Sequence, residues 1–193
     1  MMTKGQKARK EIVDTASSLF YQAGYGVTSY QEVAQACNLQ KTNIQYHFKH
    51  KPDLLSAVID QRIDEIRLLL EGWSLACDTP YNCIEKFILM IEGNAENLSL
   101  YGCPMGTLTD ELGKSDPALQ KEAQKMFDLY LRWLEARFRA IYPPKEAKEY
   151  AQQLMVMAQG ASVLSHVYGD PKIVIKHAKI MKDWLATVCE TAR

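Results

Sequence analysis

The segment QKTNIQYHFKHK, residues 40–51, combines amide, hydroxyl, imidazole and ammonium side chains with two apolar residues, Ile44 and Phe48. At about 100° per residue on a helix, Ile44 and Phe48 fall on one face. The opposite face then carries Thr42, Gln45, Tyr46 and Lys49. Amide, hydroxyl and ammonium groups bind the base edges and phosphates of nucleic acids. The pattern favours a helix that presents its polar face to nucleic acid; the alternative is an ordinary solvated helix face.

Two helical patterns precede this segment and would position it. Apolar residues spaced three and four apart begin at Ile12 and end at Gly24. Ser29 with Glu32 three residues later is the pattern of a capping box, which begins a second, shorter helix. Asn38 tolerates a left-handed backbone, so it suits a tight turn before the third helix. A helix, a tight turn and a helix form the helix-turn-helix, whose second helix lies in the major groove of DNA.

No segment shows a convincing alternation of apolar and polar residues, so we expect an all-α fold. Residues 1–51 are predicted to form a three-helix, helix-turn-helix DNA-binding domain. Pro52 begins a long helix, which ends near Gly72 and links this domain to a C-terminal helical bundle domain, residues 52–193. Further helices follow, including a brief one after YGCPMG and two final helices at roughly 145–168 and 172–190.

Charge is unevenly distributed, although the net charge of the chain is zero at pH 7. Residues 1–52 carry seven Lys and Arg against three Asp and Glu, a net charge of +4, and the remainder carries −4. A basic N-terminal part indicates a polyanionic partner at one end of the molecule only. The first four basic residues form either an arm close to phosphates or a solvated terminus: Lys4, Lys7, Arg9 and Lys10.

The cysteines, histidines and apolar runs argue against several other classes of protein. Five cysteines form no C-x-x-C pair and no zinc-ligand spacing with the four histidines, so we expect neither a metal site nor a cofactor. No apolar run approaches the roughly 20 residues that cross a bilayer, so we expect no membrane partner. The start, MMTKGQKARKEI, lacks the apolar core of a signal peptide, and the odd number of cysteines suits a reducing compartment. We therefore expect a cytoplasmic protein.

Common enzyme motifs are also missing from the sequence. The chain contains no G-x-x-x-x-G-K-[ST], H-E-x-x-H or G-x-S-x-G motif. We therefore expect no enzymatic activity and no catalytic residues. Two alternatives stay open beside a DNA-binding protein: a helical-bundle enzyme, and a protein-binding adaptor without DNA binding.

The last two predicted helices are unusually apolar. The stretch LMVMAQGASVLSHVY, residues 154–168, is apolar almost all the way round, and IVIKHAKIMKDWLATV, residues 173–188, carries a wide apolar stripe. A helix that is apolar all round is buried on more than one side. Contact with a second copy of the chain and a central position in a monomeric core both explain this pattern.

The segment TSYQEVAQACNLQKTNIQYHFKHKPDLL, residues 28–55, resembles the signature of the TetR (tetracycline-repressor) family of transcriptional regulators. The matching positions are Val33-Ala34, Leu39, Tyr46-His47-Phe48, Lys51 and Leu54, and LFYQAGYGVTS upstream is similar as well. Two positions depart from the family pattern, since Asn38 replaces a glycine and Gln45 replaces a tyrosine that commonly contacts DNA. The resemblance covers about the first quarter of the chain, and it implies a homodimeric regulator, most often a repressor, that binds a double-stranded DNA operator.

The resemblance also implies roles for individual residues. Thr28 and Tyr46 would contact phosphates, and His47 and Lys51 would touch the DNA backbone where the helix ends. For His47, packing within the protein is an equally good explanation. The residues expected to read the groove are Lys41, Thr42, Asn43 and Gln45.

Members of this family usually release DNA when a small molecule binds the C-terminal domain, and they dimerise through their last helices. The resemblance therefore implies a homodimer through residues 145–190 and a small-molecule inducer. Adaptable methionine and aromatic side chains suit an apolar pocket, although such residues are more often simply core. The residues expected to line the pocket are Cys103, Met105, Met126, Tyr130 and Trp133.

Cys103 has a second possible role. Pro104 is a favourable first helical residue, which leaves Cys103 at the N-cap, where free amides and the positive end of the helix favour a thiolate. YGCPMGTLTDEL also resembles a Gly-Cys motif at the start of the sixth helix in part of the family, including members that sense electrophiles or oxidants. The alternative is a small buried residue at a helix start.

Overall fold

The computed structural model describes residues 3–190, and every regular element within that range is an α-helix. The all-α prediction is therefore confirmed. The helices are α1 (Lys4–Ala23), α2 (Tyr30–Ala36), α3 (Lys41–His47), α4 (Lys51–Ala76), α5 (Pro80–Gly93), α6 (Ala95–Tyr101), α7 (Pro104–Ser115), α8 (Pro117–Phe138), α9 (Pro144–Tyr168) and α10 (Pro171–Glu190).

The chain divides into two compact units. The first comprises the chain up to Asp64 together with Thr107–Lys125, and the second comprises Glu65–Gly106 and the chain from Met126 onward. Helix α4 contributes residues to both units. The domain boundary expected between residues 51 and 52 stays a prediction. That boundary separates two proposed functions, whereas the two compact units are defined by which residues pack together.

The core of the first unit contains the apolar stripes of its helices. Ile12 and Ala16 of α1 and Ala34 of α2 are completely buried, as are Ile44 of α3 and Leu54 of α4. Burying such side chains stabilises a fold by about 1.5–3 kcal/mol each. Helices α1, α2 and α3 therefore form a packed unit, although α2 and α3 have only seven residues each.

The predicted helix ends are confirmed in this unit. Gly24 ends α1 with a φ of 98°, which favours glycine. The backbone N–H of Ser29 donates to Glu32 Oε2 at 2.6 Å, and the N–H of Glu32 donates to Ser29 Oγ at 3.2 Å. This capping box begins α2 at Tyr30.

Helix α7 supplies a side chain that binds the loop between α1 and α2. The backbone N–H of Tyr25 donates to Glu111 Oε2 at 3.0 Å, and the N–H of Gly26 donates to Glu111 Oε1. A Cβ atom at Gly26 would lie 2.6 Å from Glu111 Oε1, so any larger residue there would displace this carboxylate. One carboxylate therefore satisfies two backbone donors of a loop 85 residues earlier in the chain.

In the second unit, α10 packs against α5, α6 and α9. The inner face of α10 is completely buried at Val174, Ala178, Met181 and Leu185. Lys182 Nζ donates to Glu92 Oε2 at 2.6 Å and joins α10 to α5 by an ion pair. The last two helices predicted from the sequence are thus confirmed as elements, with bounds shifted by about one residue.

Two local expectations were wrong. Helix α4 continues past Gly72 to Ala76, because a helix-interior glycine costs only about 1 kcal/mol. Asn94 begins a separate helix, α6, so the helix that starts at Pro104 is the seventh and not the sixth. The first four basic residues lie in α1, which begins at Lys4, and phosphate contact by them stays a prediction.

Tyr30 fixes the end of α3. Its hydroxyl donates to the carbonyl oxygen of Phe48 at 3.0 Å, and burial, followed by the charge of Asp53, raises the pKa of Tyr30 to about 12. We expect Tyr30→Phe to lower the free energy of unfolding by about 1 kcal/mol, because the carbonyl loses this partner. Urea denaturation followed by circular dichroism measures the loss.

Tyr46→Phe is the matched control for this prediction. Tyr46 is 84% exposed, so loss of its hydroxyl leaves no buried group without a partner. We expect its free energy of unfolding to stay within about 0.5 kcal/mol of the wild-type value. Equal losses in the two variants would contradict the role assigned to Tyr30.

Candidate nucleic-acid interface

Helices α2 and α3 are joined by a tight turn. Asn38 has a φ of 53°, so the left-handed conformation predicted for this residue is confirmed. The backbone N–H of Asn38 donates to the carbonyl of Gln35 at 3.1 Å, and the N–H of Leu39 donates to the carbonyl of Ala34 at 2.8 Å. These bonds satisfy carbonyls at the end of α2 and reverse the chain into α3.

The rotation of α3 about its axis agrees with the sequence pattern. Ile44 is completely buried and Phe48 is 3% exposed, so both point into the first unit. Tyr46 is 84% exposed on the other side of the helix. The other exposed residues of α3 are Lys41, Thr42, Asn43 and Gln45. The predicted division of α3 into an inner apolar face and an outer polar face is therefore confirmed.

The outer face of α3 offers hydrogen-bond donors and positive charge. No acidic residue lies between Gln40 and Lys51, and Lys49 and His50 are also exposed. The amide oxygen of Asn43 is already hydrogen bonded within the protein, since Oδ1 accepts the backbone N–H of Gln40 at 3.3 Å and caps the helix. Its amide nitrogen is left as the group able to bind a base or phosphate.

Two of the expected phosphate contacts have partners inside the protein. Thr28 is 3% exposed, and its hydroxyl donates to the carbonyl of Gly24 at 2.7 Å. His47 is half-buried, and its ring lies 5.1 Å from the Tyr46 ring in an edge-to-face arrangement. DNA contact by Thr28 and His47 stays a prediction from the family resemblance.

Lys51 bridges the helix-turn-helix and the loop between α1 and α2. Its Nζ donates to the carbonyl of Gly26 at 3.2 Å and lies 4.3 Å from the centre of the Tyr25 ring. Burial lowers the pKa of Lys51, while the charges of Glu111 and Glu32 act in the opposite direction. The ammonium group is thus held at a defined place beside the loop, where its charge can also attract a phosphate.

Sequence reasoning missed the residues that hold this surface in place. The hydroxyl of Tyr30 bonds the carbonyl of Phe48, 18 residues later, and no local sequence pattern indicates this contact. Glu111 carries no local signal, because its partners Tyr25 and Gly26 lie far away in sequence. Arg9 was noted for its charge, and its guanidinium lies 4.8 Å above the Phe48 ring.

Two of the five residues expected to bind a ligand belong to one apolar cluster of the second unit. Cys103 is 8% exposed and packs with Ala95, Leu98 and Val174, and the half-buried Met105 packs against this cluster. Helix α7 begins at Pro104, and the backbone N–H of Gly106 donates to Cys103 Sγ at 3.4 Å. Cys103 therefore occupies the cap position that the sequence predicted.

The other three expected ligand residues are buried on α8. Met126 is 2% exposed, and the Tyr130 hydroxyl lies 3.6 Å from Met90 Sδ. Trp133 Nε1 donates to Ser74 Oγ at 2.9 Å. Of the five expected ligand residues, only Trp133 lines an open groove of about 440 Å³. The residues that line this groove are Arg67, Leu70, Glu71, Ser74, Leu75, Leu129 and Trp133.

Helix α9 has two apolar sides. Leu154, Ala158 and Ala161 are buried in the second unit, whereas Val156 and Val167 are 70% and 68% exposed. We call the exposed side the α9 apolar face, and it comprises Val156, Val163, Leu164, Val167 and Tyr168. A central position in a monomeric core is therefore wrong for α9, because one of its apolar sides is left uncovered by the single chain.

Within residues 3–190, no helix combines the length and apolarity needed to cross a membrane. In the same residues, no three His, Cys, Asp or Glu side chains are grouped so that they could hold a metal ion.

Comparisons with known proteins agree with this geometry. The family described as "Bacterial regulatory proteins, tetR family" matches residues 12–58, and "Transcriptional regulator LmrA/YxaF-like, C-terminal domain" matches residues 80–179. A Lactococcus lactis subsp. lactis protein, "Uncharacterized HTH-type transcriptional regulator in lacX 3'region", is 23% identical over 181 residues, 92% of each chain. The negative transcriptional regulator IcaR of the biofilm operon icaADBC of Staphylococcus aureus (strain Newman) is 23% identical over 129 residues, 62% of this chain and 69% of IcaR.

Solved structures show the same fold. A TetR transcriptional regulator from Chloroflexus aurantiacus J-10-fl superposes with a TM-score of 0.84 at 22% identity, covering 96% of this chain and 97% of the other. A TetR transcriptional regulator from Legionella pneumophila gives a TM-score of 0.82 at 24% identity, covering 95% and 97%. The outward polar face of α3, the two family matches and the shared fold lead to one conclusion: this chain belongs to the TetR family of transcriptional regulators.

Proposed function

We propose that this regulator is a ligand-responsive repressor, which binds a palindromic double-stranded DNA operator as a homodimer and leaves it when a small molecule binds. The exposed polar face of α3, fixed by the buried Ile44 and Phe48, is the observation that carries the proposal. IcaR, a relative over 62% of this chain, is a negative regulator, which favours repression. Because a regulator acts where its operator is, we propose a cytoplasmic location.

The proposed DNA contacts divide by chemistry. Gln45 and Lys41 carry groups that pair with base edges, an amide suited to adenine and an ammonium suited to guanine. The exposed hydroxyl of Tyr46 is suited to a phosphate. Thr42 and the amide nitrogen of Asn43 add further donors in the groove, and Thr28, His47 and Lys51 complete the set by family resemblance. We propose residues 1–51 as the DNA-binding domain.

The homodimer is proposed to form through residues 145–190. One recognition helix reads too few base pairs for a specific site, and two-fold dimers solve this by placing two such helices about 34–36 Å apart. The α9 apolar face is a contiguous stripe on one helix, which is the kind of surface that a second copy covers. Two copies of α9 and α10 would then form a four-helix bundle.

The inducer is proposed to bind the second unit. Cys103 and Met105 border one apolar cluster, Met126 and Tyr130 are buried on α8, and Trp133 lines an open groove. A ligand that binds one conformation of the dimer better than another shifts the population toward it. Helix α4 continues from the proposed DNA-binding domain into the second unit, so we propose α4 as the element that carries this shift.

We also propose that the chain belongs to the part of the family with a Gly-Cys motif. Gly102 and Cys103 precede α7, and the thiol accepts the backbone N–H of Gly106 at 3.4 Å. This arrangement supports the resemblance seen in YGCPMGTLTDEL. In this proposal, the motif places a thiol at the helix start, beside the apolar cluster of the second unit.

The DNA contacts are tested by two substitutions with different expected effects. Gln45→Ala should weaken binding to the operator by about 1–3 kcal/mol and leave binding to unrelated DNA unchanged, because it removes a base contact. Tyr46→Phe should weaken binding to all DNA evenly, because it removes a phosphate contact. Fluorescence anisotropy at fixed salt measures both effects.

Gln124→Ala is the control for these DNA-binding measurements. Gln124 is exposed on α8, away from α3 in sequence, so its loss should leave DNA affinity unchanged. If Gln45→Ala bound operator and unrelated DNA like the wild type, the proposed reading face would be wrong.

The dimer is tested by placing a charge on the α9 apolar face. We expect Val167→Glu to convert the dimer to monomers, because two carboxylates would be buried against each other without partners. Leu68→Glu is matched to it, since Leu68 is also 68% exposed but lies on α4. Analytical ultracentrifugation should find monomers only for Val167→Glu, and a dimer retained in that variant would contradict the proposed interface.

A further inference from the structure

Arg9 of α1 lies against the residue that ends α3. Its side chain is exposed, and its guanidinium carbon lies 4.8 Å from the centre of the Phe48 ring. Phe48 directly follows the last residue of α3 and is 3% exposed. Both residues belong to the first unit. The fold therefore holds a guanidinium group of α1 beside the end of the helix that carries the proposed DNA-binding surface.

Phe48 is a fixed support for this guanidinium group. Its backbone N–H donates to the carbonyl of Ile44 at 2.8 Å, and its carbonyl accepts the Tyr30 hydroxyl at 3.0 Å. A guanidinium group over an aromatic ring is attracted by the negative face of the ring. This contact uses none of the N–H donors of Arg9, so they remain able to bind an anion.

Arg9 and Lys10 are neighbours on α1 with different ionic surroundings. Within residues 3–190, no Asp or Glu side chain forms an ion pair with Arg9. Lys10 differs, since its Nζ lies 2.6 Å from Asp14 Oδ2. Lys49, which follows Phe48 in the chain, is exposed as well. Arg9 therefore adds a second exposed cation beside the end of α3.

We propose that Arg9 binds a backbone phosphate of the DNA at the end of α3. This contact rests on the proposed function, because it requires DNA on the outer face of α3. Arg9 lies outside residues 28–55, whose resemblance to the TetR signature supplied the other proposed contacts. A phosphate offers two oxygens to the planar guanidinium group, which can donate two parallel N–H bonds to them.

The position of Arg9 favours a phosphate over a base. Phe48 points into the first unit, whereas Gln45 and Tyr46 lie on the exposed face of α3. A group stacked on Phe48 therefore lies beside the groove-reading face and not on it. The strands that border the groove present their phosphates there, and such contacts fix the orientation of a protein on DNA. Because the ring holds the guanidinium group in place, binding a phosphate costs it little further side-chain freedom.

The first measurement is the salt dependence of DNA binding. Each neutralised phosphate contributes about 0.9 to the slope of log affinity against log salt concentration. We expect Arg9→Gln to lower the magnitude of this slope by about 1.8, because the proposed dimer contains two copies of Arg9. At about 0.1 M salt this change corresponds to roughly 60-fold weaker binding, and near 1 M the affinities should converge.

Two DNA duplexes are compared by fluorescence anisotropy. One is the duplex enriched from a random pool, and the other is a scrambled duplex of equal length. We expect Arg9→Gln to lose the same slope on both, because a phosphate contact reads no sequence.

Lys10→Gln is the matched control. It removes one positive charge from the neighbouring position of the same helix, but that charge is already paired with Asp14. We expect Lys10→Gln to keep the wild-type slope on both duplexes. Thermal unfolding followed by circular dichroism checks the fold of both variants, which should be retained because Arg9 and Lys10 are exposed.

The second measurement locates the phosphate. Each backbone phosphate of the enriched duplex is replaced in turn by an uncharged methylphosphonate. We expect one position in each half-site where this replacement weakens binding by the wild type and by Lys10→Gln. At the same position it should not weaken binding by Arg9→Gln any further, because that variant has already lost the contact.

The Arg9 contact would be overturned by an unchanged slope in Arg9→Gln, or by equal losses of slope in Arg9→Gln and Lys10→Gln. It would also be overturned if every methylphosphonate weakened binding by the wild type and by Arg9→Gln equally. Any of these results, with DNA binding by the wild type intact, leaves the proposed function standing. A wild-type chain that binds neither duplex would overturn the proposed function and the Arg9 contact together.

Discussion

The burial of Ile44 and Phe48 fixes which side of α3 faces outward, and the proposed function depends on that rotation. Each side chain is almost fully enclosed, so turning the helix would expose both to water and bury Gln45 and Tyr46 without partners. The bond from the Tyr30 hydroxyl to the Phe48 carbonyl holds the end of the helix, and the left-handed Asn38 sets its beginning. A helix of seven residues, too short to be stable alone, thereby presents a defined surface.

The loop between α1 and α2 is held by two charged side chains of the first unit. Glu111 accepts the backbone N–H groups of Tyr25 and Gly26, and Lys51 donates to the carbonyl of Gly26. Because Lys51 lies just beyond α3, the positions of this loop and of the proposed DNA-binding surface are linked. Helix α7 therefore holds the loop between α1 and α2 in place through the Glu111 carboxylate.

Local rules predicted much of this structure from the sequence. Three features depend only on residues close together in the chain and could be predicted from the sequence. They are the capping box of Ser29 and Glu32, the left-handed conformation of Asn38 and the buried apolar face of α3. The partners of Glu111 and the lining of the groove around Trp133 depend on tertiary packing. Such contacts have no periodicity, and the sequence pattern therefore could not predict them.

The central claim is that two outward-facing α3 helices read one symmetric DNA site. Selection of bound fragments from a random pool of double-stranded DNA by the full-length protein tests it most directly. We expect enrichment of an inverted repeat whose half-sites are centred about one or two helical turns apart. No enrichment over the starting pool, or enrichment of a single asymmetric half-site, would contradict it.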